Sequence, residues 1–195
     1  YIFALMPLYE DEASVLTKYV VSKLKMNEIG VLYQNDAYGK AALGGIRQRL
    51  DALKMKAVAE IPVEATDKDL SSHVLKLKNA GAKAVLMWLT PSAAVITLKT
   101  AATVGYKPQW VASETLGDFG LMHKISGGLW EGVITAGFVL PPESPHPLMV
   151  KYREAIKKFT PEERPGLFYI AGSMFTEPLV DALKRAGKNL STEAA

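Results

Sequence analysis

The sequence predicts an α/β protein, a doubly wound, mostly parallel sheet with helices on both faces. Two observations carry that expectation. Apolar runs of strand length alternate with segments whose apolar residues recur at helical spacing. The resulting strand–helix–strand order calls for parallel strands joined by crossover helices.

The elements follow in order. Ile2 to Met6 reads as a strand, and Glu12 to Lys25 as a helix with Leu16, Tyr19, Val20 and Leu24 on one face. Ile29 to Tyr33 reads as a buried strand, and Gln34-Asn35-Asp36-Ala37-Tyr38-Gly39 as a turn-rich loop. The helix expected after Gly39 carries Leu43, Ile46, Leu50 and Leu53. Ala57 to Val63 is the next strand, and Pro62, which cannot donate to a ladder, suggests an edge position. Asp67 or Asp69 is placed to cap a helix bearing Leu70, Val74 and Leu77, which Gly81 ends. Val85 to Leu89 is strand-like. Ser92 is the expected cap of a helix with Val95, Leu98 and Ala102, closed by Gly105. Gln109 to Ala112 is a short strand, Gly117 to Ile125 a short helix, and Gly132 to Phe138 one more strand.

Pro141-Pro142-Glu143-Ser144-Pro145 then breaks the pattern and marks a boundary. Residues 1–140 are expected to form the α/β part and residues 141–195 a helical segment. In that segment Leu148, Tyr152, Ile156 and Phe159 make one apolar stripe. Phe175, Leu179, Ala182 and Leu183 make another, ended by Gly187. Two such helices without a strand of their own must pack on something: the sheet, a further domain or another copy of the chain. Self-association through these faces is the expectation for the chain by itself. Both ends of the sequence read as cut points, the first inside an apolar run from Tyr1 to Met6 and the last in a polar tail from Ser191 to Ala195.

Composition removes several function classes. Hydrophobic residues at 49% and charged residues at 22% suit a soluble protein with a real core. The net charge of +3 is scattered rather than gathered on a face, so no nucleic-acid partner is expected. The absence of cysteine excludes disulfides, thiolate zinc sites and cysteine nucleophiles. His73, His123 and His146 are isolated, without metal-ligand spacing. There is no G-x-G-x-x-G, no G-K-[ST] and no G-x-S-x-G. No stretch reaches the roughly 18 apolar residues of a membrane span. A binder without cofactor or metal is expected, rather than an enzyme using Glu114 as a base.

Three polar residues are the candidate ligand-binding set. Tyr38, Thr90 and Glu114 each follow a different strand-like run. In an open α/β sheet, ligands bind outside the carboxyl ends of the strands, so three separate loops deliver a phenol, a hydroxyl and a carboxylate to one rim. Each has a plainer reading: a tyrosine at a helix start, a strand end next to the Ser92 cap, and a loop carboxylate or cap. Ser113 and Thr115 are weaker candidates of the same kind. Trp88 reads as packing.

The motifs resemble a known family. Ile29-Gly30-Val31-Leu32-Tyr33 followed by Asn35-Asp36-Ala37-Tyr38-Gly39-Lys40 resembles the strand and D-x-Y-G turn of type I periplasmic binding proteins. These are the substrate-binding subunits of branched-chain amino acid ABC transporters. Asp67 to Val85 is similar to that family's next helix and strand. Val85-Leu86-Met87-Trp88-Leu89-Thr90, with Ala93-Ala94 and Val104-Gly105-Tyr106, is similar to its third unit. Trp130-Glu131-Gly132-Val133 resembles the strand that crosses between lobes, and Ala182-Leu183-Lys184-Arg185-Ala186-Gly187 a typical helix end. The resemblance implies two lobes that close on a ligand. It makes roughly Leu8 to Gly132 the second lobe, flanked by crossing strands at Ile2–Leu5 and Val133–Phe138, and gives the helices after Pro145 to the first. It implies that Tyr38 and Thr90 line the cleft and that Glu114 takes a ligand ammonium. The implied ligand is an amino acid, or an aromatic or aliphatic acid or amide, and the implied partner is a membrane permease. The implied location is the periplasm, or the cell exterior on a lipid anchor. A sensory module of the same fold is the alternative.

Overall fold

The structure is a computed structural model that describes residues 6–188. The first helix, α1 (Tyr9–Ser22), opens three residues earlier than the apolar pattern suggests. Glu10, Asp11 and Glu12 fall in its first turn, where negative charge offsets the exposed N–H groups. It ends before Lys25, whose φ of 58° turns the chain toward the sheet. Ala13, Leu16 and Val20 form its buried stripe, while Tyr19, expected on that face, is exposed.

The sheet contains β1 (Ile29–Gln34), β2 (Ala59–Val63), β3 (Ala84–Trp88), β4 (Gln109–Ala112) and β5 (Ile134–Thr135). All neighbours are parallel and the order is β2-β1-β3-β4-β5. β2 is an edge strand and carries Pro62, as its missing donor requires. β5 is shorter than the run from Gly132 to Phe138 suggested, because its ladder has only the pairs Val111–Ile134 and Ala112–Thr135.

The connecting helices are α2 (Ala37–Ala52), α3 (Ser71–Asn79), α4 (Pro91–Thr103) and α5 (Phe119–Ser126). Side chains alternate across the pleat, so each strand feeds two cores. Val31, Leu86 and Trp88 pack with Leu16 and Val20 of α1 and with Leu43, Ile46 and Leu50 of α2. Leu32, Val85 and Met87 pack on the other face with Val74 and Leu77 of α3, Val95 and Leu98 of α4, and Met122 of α5. Each such fully buried side chain contributes about 1.5–3 kcal/mol relative to exposure. The doubly wound expectation therefore holds.

Capping explains where helix starts differ from expectation. Asp36 is extended and its Oδ1 accepts the Gly39 N–H at 3.0 Å, so α2 begins at Ala37 and Tyr38 lies in its first turn. Thr90, not Ser92, caps α4: its Oγ1 accepts the Ala93 N–H at 3.4 Å, with Pro91 at the first helical position. Neither aspartate is the formal cap of α3. Asp69 Oδ1 accepts the Ser71 N–H at 2.8 Å, whereas Asp67 Oδ2 binds the Glu64 N–H at 2.9 Å. Leu53, expected on the α2 stripe, is the residue after the last helical turn and is exposed.

Residues Pro7–Gly137 form one compact unit, and the chain from Phe138 onward forms another. The second holds α6 (Pro147–Phe159) and α7 (Leu167–Ala186). Met149, Tyr152 and Ile170 make its small core, and the Phe138 ring stacks on Phe175 at 6.0 Å. Lys151 pairs with Glu177 across the two helices. Phe159, Leu179 and Leu183, expected on apolar stripes, are exposed. The strand expected over Ile2–Met6 lies, apart from Met6, outside the described residues.

One close approach locks α1 to α2. A Cβ at Gly45 would lie 2.0 Å from the Glu10 carbonyl oxygen, whereas one at Gly44 meets nothing within 4 Å. Gly45→Ala is expected to destabilise the protein by about 1–3 kcal/mol through forced separation of the two helices. Gly44→Ala is expected to be neutral or to stabilise by up to about 1 kcal/mol through helix propensity. Urea denaturation of both variants checks the pair, and equal midpoints would contradict the packing.

Candidate functional site

β1 and β3 are neighbours whose following helices leave to opposite faces, α2 onto the α1 side and α4 onto the other. This is the switch point of an open α/β sheet, where the strand carboxyl ends leave a crevice. The loops after β1, β3 and β4 all open on that edge because the strands are parallel.

Tyr38 is half-buried there. Its hydroxyl lies 2.7 Å from Thr115 Oγ1, and its ring meets Tyr9 edge-on at 4.8 Å. Burial pushes the phenol up to about 12, so the group is a neutral hydroxyl throughout the ordinary pH range.

Glu114 sits in a single 3-10 turn, Glu114–Leu116, directly after β4. Ser113 holds that turn from both sides. Its N–H donates to the Met87 carbonyl at 3.0 Å, extending the β3–β4 ladder, and its Oγ accepts the Thr115 N–H at 3.4 Å. The Glu114 side chain is 2% exposed, and its Oε1 has no hydrogen-bond partner. Burial raises its pKa. An ionised carboxylate left in this state is costly unless a cation meets it.

Behind it lies Glu12 of α1, only 6% exposed. Its Oε1 accepts the Glu114 N–H at 2.6 Å and its Oε2 accepts the Ser113 hydroxyl at 3.3 Å. The Trp88 indole lies against the same carboxyl, although its nitrogen completes no hydrogen bond of good geometry. Burial is the main cause that lifts Glu12 to about 7. The charge of Glu114 adds to it, and the Glu114 N–H and the Ser113 hydroxyl partly offset it. Glu12 is absent from the sequence-derived candidates because it reads as the first residue of a helix. The signal was present: positions 12, 16 and 20 lie at helical spacing with Leu16 and Val20, so a charge stands on an apolar stripe.

The structure therefore brings Tyr38 and the Glu114 turn together, joined through Thr115. Thr90 is at the same edge but serves otherwise. It is exposed, caps α4, and places its hydroxyl 3.2 Å from Ser92 Oγ. Among the described residues no group of three or more His, Cys, Asp or Glu side chains could hold a metal ion. No described helix is long and apolar enough to cross a membrane. What the rim offers is an acceptor-rich surface with one unsatisfied carboxylate and a neutral phenol beside it, suited to a cationic head group.

An open parallel sheet with acceptors collected at its switch point is an α/β ligand-binding architecture. The chain belongs to the periplasmic binding protein family, whose model matches residues 1–195. It is 28% identical over 190 residues to Leu/Ile/Val-binding protein homolog 1 of Brucella suis, covering 95% of this chain and 49% of that relative. It is 29% identical over 190 residues to homolog 2 of Brucella abortus, with the same coverage of 95% and 49%. The chain thus spans about half the length of the curated relatives it matches. Among solved structures, a possible leucine/isoleucine/valine-binding protein from Rhodopirellula baltica superposes with a TM-score of 0.87 at 21% identity, over 95% of this chain and 52% of that one. A branched chain amino acid ABC transporter protein from Thermus thermophilus with bound valine gives 0.85 at 19% identity, over 97% and 50%. These two likenesses establish the shared fold.

The buried carboxyl makes a stability prediction. Glu12 moves from its ordinary 4.5 in the unfolded chain to about 7 in the folded one. Between those values the folded state holds more protons than the unfolded state, so stability falls as pH rises through the window and levels off above it. The loss is on the order of 3 kcal/mol at most, at about 1.4 kcal/mol per pKa unit. Glu12→Gln, which keeps an acceptor for the Glu114 N–H, is expected to flatten this slope. Urea denaturation of both proteins across the window checks it, and parallel slopes would refute it.

Proposed function

We propose that this chain is part of the solute-binding component of an ABC-type importer, and that residues 1–140 form the second of its two ligand-binding lobes. Residues 141–195 belong to the first lobe. The ligand is an amino acid or a similar small molecule, held at the carboxyl edge of the sheet. Glu114 accepts its ammonium, Tyr38 supplies a neutral hydroxyl beside it, and Thr90 lines the rim. The protein works in the periplasm, or outside the cell on a lipid anchor, and delivers its ligand to permease subunits in the membrane.

One observation carries this reading: a carboxylate oxygen of Glu114, buried at the switch point, without a partner. A ligand ammonium is the counter-charge that such a group lacks. The names of the matched relatives point to the same ligand class. The absence of a nucleophile or metal set in the sequence motifs agrees with a binder. The physical work is then differential affinity, with the ligand stabilising the closed arrangement of two lobes over the open one.

Calorimetric titration of the full-length protein with L-leucine, L-valine and a panel of aromatic and aliphatic acids tests the reading. Glu114→Gln is expected to weaken amino-acid binding by about 30-fold or more, the cost of losing a buried charge-assisted contact. Tyr38→Phe is expected to cost about tenfold or less, one neutral hydrogen bond. Undiminished affinity in Glu114→Gln would overturn the assignment.

A further inference from the structure

The Glu114 carboxylate is not the only acid at the rim. Glu12 reaches it from a different element, 102 residues earlier in the chain. Its two oxygens hold two consecutive residues of the loop, the Glu114 N–H at 2.6 Å and the Ser113 hydroxyl at 3.3 Å. From Ser113 the contacts continue. Thr115 Oγ1 donates to Ser113 Oγ at 3.2 Å and meets the Tyr38 hydroxyl at 2.7 Å. Glu12 therefore touches the Glu114 backbone directly and reaches Tyr38 through two hydroxyls.

We propose that Glu12 is a positioning residue for this site, fixing the 113–114 peptide behind the Glu114 carboxylate and carrying a second negative charge that makes uptake of a cationic head group proton-linked. The proposal rests on Glu114 as the ammonium acceptor.

The electrostatics follow from what faces Glu12. From α1 itself comes Tyr9, from α2 Tyr38, from the turn after β4 Glu114, Ser113 and Thr115, and from β3 Trp88. None of these is a cation. Arg49 of α2 reaches α1, but its Nε is bonded to Ser14 Oγ at 3.0 Å. Two carboxyls thus share a buried site with acidic or neutral neighbours. Both cannot ionise cheaply, so the empty pair retains a proton near neutral pH. An arriving ammonium changes the balance by stabilising both carboxylates. The proton leaves Glu12 for the solvent, and the ligand cation takes its place in the charge count. Binding and proton release are then linked, and affinity rises with pH until the empty pair has lost its proton unaided.

Two measurements on the full-length protein test this. The first needs no ligand. The backbone amide resonance of Glu114, bonded to the Glu12 carboxyl, is followed from about pH 5.5 to about pH 8.5, the range that brackets a carboxyl raised to near neutrality. A titration step in the wild type that vanishes in Glu12→Gln is expected. No step in the wild type overturns the proposal. The second is calorimetry with L-valine and L-leucine over the same range, repeated in buffers of different ionisation enthalpy to count protons. Wild-type affinity is expected to rise about three- to tenfold with proton release, the scale of one close opposite charge. Glu12→Gln is expected to bind with a flat profile and no proton release. Matching profiles in the two proteins overturn the proposal, because a merely structural Glu12 leaves the pH dependence unchanged. Should the amide step be present while neither amino acid binds at any pH, the assigned ligand class fails and the positioning of the loop by Glu12 stands. If Glu12→Gln does not fold, the wild-type amide step and proton count decide alone.

Discussion

A carboxyl group taken out of water must find donors or keep its proton, and the rim of this protein is organised around Glu12, which finds two donors and whose pKa burial raises. Glu12 is placed by α1 against the loop after β4, where a backbone N–H and a serine hydroxyl are the donors. That contact fixes several things at once. It sets the rotation of α1, since Glu12 must point inward while Ala13, Leu16 and Val20 fill the core beside it. It orders the 3-10 turn that begins at Glu114. It brings Tyr9 of α1 edge-on to Tyr38 of α2, across the same helix pair that Gly45 allows to approach closely.

The sheet explains why such a contact can exist between residues so distant in sequence. Parallel strands present their carboxyl ends on one edge, and the order β2-β1-β3-β4-β5 places the loops after β1, β3 and β4 side by side. β3 lies between β1 and β4 and is buried along its whole length, so its position is set by packing on both faces. The Ser113 N–H then continues the β3–β4 ladder by bonding the Met87 carbonyl. The turn carrying Glu114 is thus an extension of the ladder of the fully buried strand β3. In the proposed site the turn is then positioned by that ladder rather than by the loop itself.

Much of the fold was legible in the sequence because the physics behind it is local and repetitive. Strands buried on both faces read as short apolar runs, and the helices between them carry stripes at 3.6-residue spacing. Element ends were less legible, because a cap depends on which of several polar residues adopts an extended backbone. Asp36 took that role ahead of Gly39, and Thr90 took it in place of Ser92. The family resemblance was carried by strand-plus-turn motifs, and the family model matches over the whole chain. Tyr38 and Glu114 were visible as polar residues following strands. Glu12 was visible only as a charge on an apolar stripe; its partner, 102 positions away, is encoded by no local pattern. Phe159, Leu179 and Leu183 mark a further limit: helical spacing shows an apolar stripe but not what covers it, and all three are exposed.

The charge pattern also bears on how a two-lobe receptor of this family can hold its empty state open. Ligand drives closure only through a difference in its affinity for the two states. A rim whose two acids lack a counter-charge supplies such a difference directly. Bringing further low-dielectric protein over an unpaired carboxylate raises its desolvation cost, whereas covering a carboxylate already paired with an ammonium strengthens the pair. Under the proposed assignment the same group opposes closure when the site is empty and favours it when the site is filled. Glu12 holds that arrangement in place, since its two oxygens accept from the loop that carries Glu114. A lysine or arginine in its place would satisfy Glu114 internally and remove the bias. On this argument the unsatisfied oxygen of Glu114 is the source of the free-energy difference on which proposed closure depends, which is why a buried polar atom without a partner can persist in an otherwise well-packed core.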